Sequence, residues 1–306
     1  MKKKILVIYY TQSGQMREAA NRFTQPFSAD TDYDVHFEQL LPENDFPFPW
    51  TAFRFFNAFP STFLQTPIPL KPFSNKLSEK WDLVVLAYQP WFLTPAPAMA
   101  TFLQTETAKQ LLSGTPVITL IACRNMWLGA QEKVKRHLKT AGAELVGNIA
   151  LVDHAPNVVS LFTILRWLLW GKKEASGLLP AAGVSEHDLQ QAVLFGNSCK
   201  QHWESNRFST MQTSLNQAGA VEIKPELVLM EKRGQRAFGI WSKFIGGAPD
   251  GSFSRAVRVY VFMFLLPTAV LILSPLLMLI SFLLLNLKKE ALQKEVEYYL
   301  QNTLRS

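Results

Sequence analysis

Thr11, Gln12, Ser13, Gly14 and Gln15 set two hydroxyls and a glycine directly after an apolar run, residues 5–10, and directly before a helical pattern. That order builds an anion seat. The first turn of a helix leaves its backbone N–H groups unpaired, and its dipole favours negative charge. The loop has neither the lysine of a triphosphate-binding loop nor the G-x-G-x-x-G spacing of a pyrophosphate site, so the anion it suits is a single terminal phosphate. Three further groups follow apolar runs: Tyr88, Pro90, Trp91 and Phe92 after 83–88; Cys123, Arg124, Asn125, Trp127 and Gly129 after 117–122; Asp153 and His154 after 145–152. Arg124 and Asn125 suit the polar edge of a ring or a negatively charged acyl group. Tyr88, Trp91 and Trp127 either stack on such a ring or pack in the core. His154, Asp153 and Arg124 are the catalytic candidates, the first two for general acid–base work. Cys123 is either a small packing residue or a thiolate nucleophile with His154 as its helper. The five histidines lie scattered without ligand spacing, so no metal site is expected.

These groups need a scaffold that brings the ends of several strands together. Short apolar runs bounded by turn residues read as buried parallel strands; they fall at 5–10, 35–40, 83–88, 117–122 and 145–152. Helical patterns at 16–23, 98–112 and 130–141 alternate with them, and Gly114 and Gly142 mark helix ends. The expectation is an α/β doubly wound sheet of five parallel strands, which binds ligands beyond the carboxyl ends of its strands. A phosphate loop, an aromatic loop and a loop with Asn, Trp and Gly describe a site for a flat, polar-edged ring on a phosphate tail. Flavin mononucleotide (FMN) has that form, and an arginine beside it can hold the charge that gathers on the reduced ring.

Over residues 1–155 the arrangement resembles the flavodoxin-like fold. Thr11, Gln12, Ser13, Gly14 and Gln15 are similar to that family's phosphate loop, with Met16 standing where a final hydroxyl is usual. The resemblance implies FMN held by Thr11, Gln12, Ser13, Gly14, Gln15, Tyr88, Pro90, Trp91, Phe92, Arg124, Asn125, Trp127 and Gly129. A narrower resemblance rests on residues 46–50, 117–127 and 238–244 and on the apolar C-terminal part, which are similar to the dialkylresorcinol condensing enzyme family. It implies an amphiphilic cyclic dione or quinone-like substrate, a ketosynthase or acyl carrier partner, and oxidation of the dione to an aromatic ring. Two other readings compete: carbon–carbon bond formation through Cys123, and a non-catalytic scaffold for a ketosynthase.

Residues 42–73 alternate aromatics with prolines, which suits a packed lid over the cleft or a cover for a sheet edge. Residues 157–173 suit either an interfacial helix or a helix packed on the sheet, and 156–256 as a whole reads as helical. The net charge of +7 owes much to Lys232, Arg233, Arg236, Lys243, Arg255 and Arg258, just before an uncharged run, 259–285. Basic residues flanking such a run read better as a membrane-proximal cluster than as a nucleic-acid surface. The expectation is a transmembrane or re-entrant segment over 257–286, an amphipathic tail over 287–306, and a body anchored C-terminally at the cytoplasmic face of the inner membrane. Two cysteines make no disulfide framework.

Overall fold

Strand β1 (Lys3–Tyr9) lies at the middle of a five-stranded sheet, between β2 (Tyr33–Gln39) and β3 (Leu83–Tyr88). Beyond β3 come β6 (Pro116–Cys123) and β7 (Glu144–Val152), giving the order β2-β1-β3-β6-β7 with every neighbouring pair parallel. This computed structural model describes residues 2–269 and 289–303. The expected doubly wound α/β sheet is thus present, with the connection reversing direction between β1 and β3. The order is that of flavodoxin-like sheets, which place their ligand at this switch point.

Alternation along the strands divides the core in two. Ile5 and Val7 face helix α1 (Gln15–Ser28), while Leu6 and Ile8 face α4 (Pro97–Phe102), α5 (Glu106–Leu112) and α6 (Leu128–Ala141). The expected single helix over 98–112 is two, because the Thr105 side chain accepts from the Ala108 N–H and caps a new start. On the α1 face, α8 (Glu186–Glu204) and α9 (Phe208–Gln217) complete the layer with Phe195, Cys199, Met211 and Leu215. Gly196 of α8 approaches α1 so closely that a Cβ there would stand 2.0 Å from the Phe23 carbonyl oxygen.

The aromatic insertion folds into two short helices, α2 (Ala52–Asn57) and α3 (Phe59–Phe63). Together with α10 (Pro225–Gly246) and α11 (Phe253–Thr268) they form a third core around Phe56, Phe59, Ile245 and Phe262. Phe59 stacks on Phe262 at 4.4 Å and meets Phe238 edge-on at 5.0 Å. Helix α12 (Lys289–Gln301) docks on α6 and α10: Tyr298 bonds to Glu132, and Lys232 pairs with Glu295 at 2.7 Å.

The membrane segment expected over 257–286 is corrected here. Helix α11 is described over Phe253–Thr268, and among the described residues no helix is long and apolar enough to cross a membrane. The remainder of the apolar run, from residue 270, lies outside the described residues. Where it is described, the run is buried in part: Val259 and Phe262 pack in the core with Phe56 of α2 and Phe59 of α3, while Tyr260, Val261, Phe264 and Leu265 are exposed. Two residues of the basic flank have internal partners. Arg255 is buried, donates to Asn57 and pairs with Asp250 at 2.9 Å, and Lys232 has Glu295. A C-terminal anchor at the cytoplasmic face of the inner membrane is therefore not supported.

Candidate functional site

The loop from Thr11 to Gln15 leaves β1 at the switch point. Gly14 takes a φ of 89°, a left-handed conformation that suits glycine, and α1 starts from it with no side-chain cap. The Gly14 N–H donates to the Thr11 hydroxyl at 3.0 Å, which curls the loop. Both glutamines act as clamps. Gln12 Nε2 donates to the Pro47 carbonyl at 3.0 Å; Gln15 donates to the Val184 carbonyl at 3.0 Å and accepts from the Val184 N–H at 3.1 Å. Ser13 and Gly14 stay exposed, and nothing lies within 4 Å of where a Gly14 Cβ would be. Met16, in place of the final hydroxyl, turns into the α1-face core and does not obstruct the seat. An uncapped helix start with two hydroxyls beside it remains open to an anion.

The aromatic loop is shaped by a small hairpin, β4 (Pro90–Trp91) against β5 (Thr94–Pro95), whose turn holds Phe92 and Leu93 at φ of 49° and 62°. Trp91 meets Phe46 at 5.1 Å, Trp50 at 5.7 Å and Tyr10 at 5.9 Å. Phe92 meets Phe55 at 4.7 Å. Lid and aromatic loop thus pack on each other. Tyr88 lies in the core beneath them, and its hydroxyl donates to Gln131 Oε1 at 2.6 Å.

After β6, the Arg124 guanidinium donates through Nη1 to the carbonyl and the side-chain oxygen of Asn157, at 3.0 and 2.8 Å. Burial pulls its pKa down, against the opposing fields of Asp153 and Cys123. Asn125 Nδ2 donates to the same Asn157 oxygen at 2.8 Å. Asn157 opens helix α7 (Asn157–Trp170), which the two residues thereby tether. Its far end returns to the lid, where the Trp50 N–H donates to the Leu168 carbonyl and Trp167 packs on Phe48. At 14 residues α7 extends roughly 21 Å, enough to cross the roughly 14 Å from β7 to β1. Ser160, Thr163 and Trp167 form its buried side, so the helix roofs the carboxyl edge of the sheet.

Asp153 and His154, adjacent in sequence, go separate ways. Asp153 is buried and accepts from the Ala155 N–H and the Ser160 hydroxyl, at 2.9 and 2.6 Å, which anchors α7. His154 is half exposed, between Asp188 at 3.4 Å and Glu222 at 3.6 Å. Burial, reinforced by Glu231, pushes the Cys123 thiol well above its ordinary range, the wrong direction for a nucleophile. Trp127 is buried at the start of α6, and the Gly129 N–H donates at 2.7 Å to Glu231 Oε1.

Glu231, from α10, was not among the sequence candidates. Its carboxylate also accepts from the Leu128 N–H at 3.2 Å, so it occupies the N-terminus of α6 as a built-in anion. It is 3% exposed, and burial raises its pKa from 4.5 to about 7 against the lowering effect of those two N–H bonds. The available signal was a lone carboxylate three residues after Val228 on the buried side of an amphipathic helix. A cavity of about 200 Å³ opens beside it, lined among others by Asn125, Trp127, His154, Glu222 and Glu231. His154 and Glu222 also line a second one of about 220 Å³.

Trp50 Nε1, Gln89 Oε1 and Thr94 Oγ1, in the lid and in the segment after β3, are buried with no hydrogen-bond partner among the described residues. Buried polar groups are ordinarily paired, so a group carrying both donors and acceptors suits this edge. With the open seat at α1, the residues present fit FMN. They do so with fewer side chains than expected, since Gln12, Gln15, Tyr88 and Gly129 are engaged within the protein.

No family model matches the chain, and no curated protein matches it. Among solved structures it is similar to a flavoprotein in complex with FMN from Lactobacillus acidophilus NCFM, at 18% identity over 48% of this chain and 93% of that one, with a TM-score of 0.36. It is also similar to a protein described as a flavoprotein from Bacteroides eggerthii DSM 20697, at 15% identity over 49% and 89%, TM-score 0.39. A third, similarly described and from Bacteroides uniformis ATCC 8492, has 14% identity over 55% and 99%, TM-score 0.38.

Proposed function

We propose that the chain binds FMN between the β1 loop and the aromatic loop and acts as a flavin-dependent oxidoreductase. The observation that carries this reading is the uncapped, unobstructed start of α1 at the β1/β3 switch point, with the Thr11 and Ser13 hydroxyls beside it. The phosphate is held by those hydroxyls and the first-turn N–H groups of α1. The ring edge is held by Trp50 Nε1, Gln89 Oε1 and Thr94 Oγ1, which otherwise lack partners. Bound flavin would supply a two-electron hydride acceptor. Arg124, fixed in place by Asn157, contributes positive charge at the same edge, and the lid with α7 excludes water from it.

The substrate side of this reading is a hydrophobic ring compound. The similarity of residues 46–50, 117–127 and 238–244 to dialkylresorcinol condensing enzymes favours a dialkyl cyclic dione aromatised to a dialkylresorcinol, delivered by a ketosynthase or acyl carrier partner. The raised thiol of Cys123 speaks against carbon–carbon bond formation at that residue.

The test is titration of purified protein with FMN, followed by visible absorbance and flavin fluorescence. Saturable uptake is expected, and Thr11→Ala and Ser13→Ala each weaken it about tenfold, the loss of one hydrogen bond to a charged group at about 1.5 kcal/mol. No uptake at millimolar FMN, or equal uptake by a Thr11→Ala/Ser13→Ala double variant, would overturn the assignment.

A further inference from the structure

The cavity beside Glu231 lies at the β6/β7 side of the carboxyl edge, away from the loop that begins α1, and its lining has a definite hydrogen-bonding sense. Arg124 can only donate, so the Asn157 atom facing it is the amide oxygen. That oxygen also takes the N–H of Asn125, which turns the Asn125 amide so that its own oxygen is left over. Asn125 Oδ1 is buried and has no partner among the described residues, and Asn125 lines the cavity. Glu231 lines it too, with one backbone N–H on each carboxylate oxygen and acceptor capacity to spare. Both groups are acceptors waiting for donors.

Size narrows the class of ligand. Drug-sized ligands occupy roughly 300–1,000 Å³, whereas an engineered apolar cavity of roughly 150 Å³ binds benzene. A cavity of about 200 Å³ therefore suits one six-membered ring with small substituents. Trp127, Ile223 and Leu227 supply apolar walls for the ring faces. The more polar Glu222, Lys224 and His154 are solvent-exposed and form the rim.

We propose that this cavity is a second ligand site, for a single six-membered ring carrying hydroxyl groups, with Glu231 and the Asn125 amide oxygen accepting the hydroxyl hydrogens and Trp127 packing on the ring. Asn125 and Trp127 are among the flavin contacts that the resemblance implies, but the site shares no ligand-holding residue with the flavin site proposed above and does not rest on that reading.

The probe is hydroquinone, with 1,4-difluorobenzene as a ring of similar size that has no donor. Titration calorimetry and ligand-observed NMR on the full chain are expected to show hydroquinone binding at least tenfold tighter than difluorobenzene. Asn125→Ala should weaken hydroquinone at least fivefold while leaving difluorobenzene within twofold. The ligand pair needs no variant, so a Glu231→Gln protein that fails to fold leaves the test intact. Equal binding of the two rings, no hydroquinone binding at about 10 mM, or hydroquinone binding unchanged in Asn125→Ala would each overturn the proposal. Competition by FMN would overturn it as well, since a shared site would then explain the binding. Failure of FMN uptake with hydroquinone bound as expected would sink the flavin reading alone.

Discussion

Replacing Glu231 by Gln tests the electrostatics of the α6 terminus directly. Burial raises this carboxyl from 4.5 to about 7. At 1.36 kcal/mol for each tenfold change in proton affinity, the difference between folded and unfolded chain is worth about 3 kcal/mol. The sign follows from linkage. The folded state holds the proton more tightly, so this contribution is fully present below pH 4.5 and is lost as pH rises to about 7. Glutamine mimics the protonated acid and carries no such dependence. Urea unfolding of both proteins at pH 4.5 and pH 8 should therefore show the stability gap moving by about 3 kcal/mol in favour of the variant at the higher pH. Any fixed penalty, from the amide N–H₂ meeting the backbone N–H of Leu128 or Gly129, is the same at both pH values and drops out. His154, Glu222 and Glu226, which line the same cavity, are identical in the two proteins. A gap that stays flat across this range would refute the assignment of a desolvated carboxyl at this position.

Gly196→Ala should be among the most damaging small substitutions, because its Cβ would meet the backbone of Phe23 rather than a movable side chain. A loss of about 3 kcal/mol, at the top of the overpacking range, is expected from urea unfolding; a loss under about 1 kcal/mol would mean that α1 and α8 do not cross so tightly. Both cysteine thiols are raised by burial, Cys199 as well as Cys123. Native protein at pH 8 should leave a disulfide-exchange reagent uncoloured over minutes, while the unfolded chain releases both thiols at once. Rapid modification of Cys123 in the folded protein would reopen nucleophilic chemistry there.

The strands were legible because a parallel strand buried on both faces is a continuous apolar run, as in 83–88 and 117–122. The loops were legible for a related reason: in such a sheet the segments that follow the strands gather at one edge. Side-chain direction was not. The sequence leaves Tyr88 either stacking on a ring or packing in the core, and the pleat decides for the core: it lies on the same face as Leu86 and Val84, and its hydroxyl is satisfied inside. Asp153 and His154 read as one pair and serve different elements. Glu231 could not be found from local pattern alone, since its partners Leu128 and Gly129 are 103 and 102 residues away. The apolar run from 259 misled for a similar reason. Composition measures how much apolar surface there is, not what covers it, and here the aromatics of α2 and α3 cover Val259 and Phe262.

The α1 face of the sheet is finished by helices that come late in the chain. A ribosome that has released residues 1–155 has delivered all five strands of the parallel sheet, yet Phe23 and Phe27 still lack α8, and the Gln15 clamp still lacks Val184. Nascent chains paused in that interval would present an uncovered apolar surface to chaperones. Synthesis has to reach the end of α9 before this half of the molecule can close.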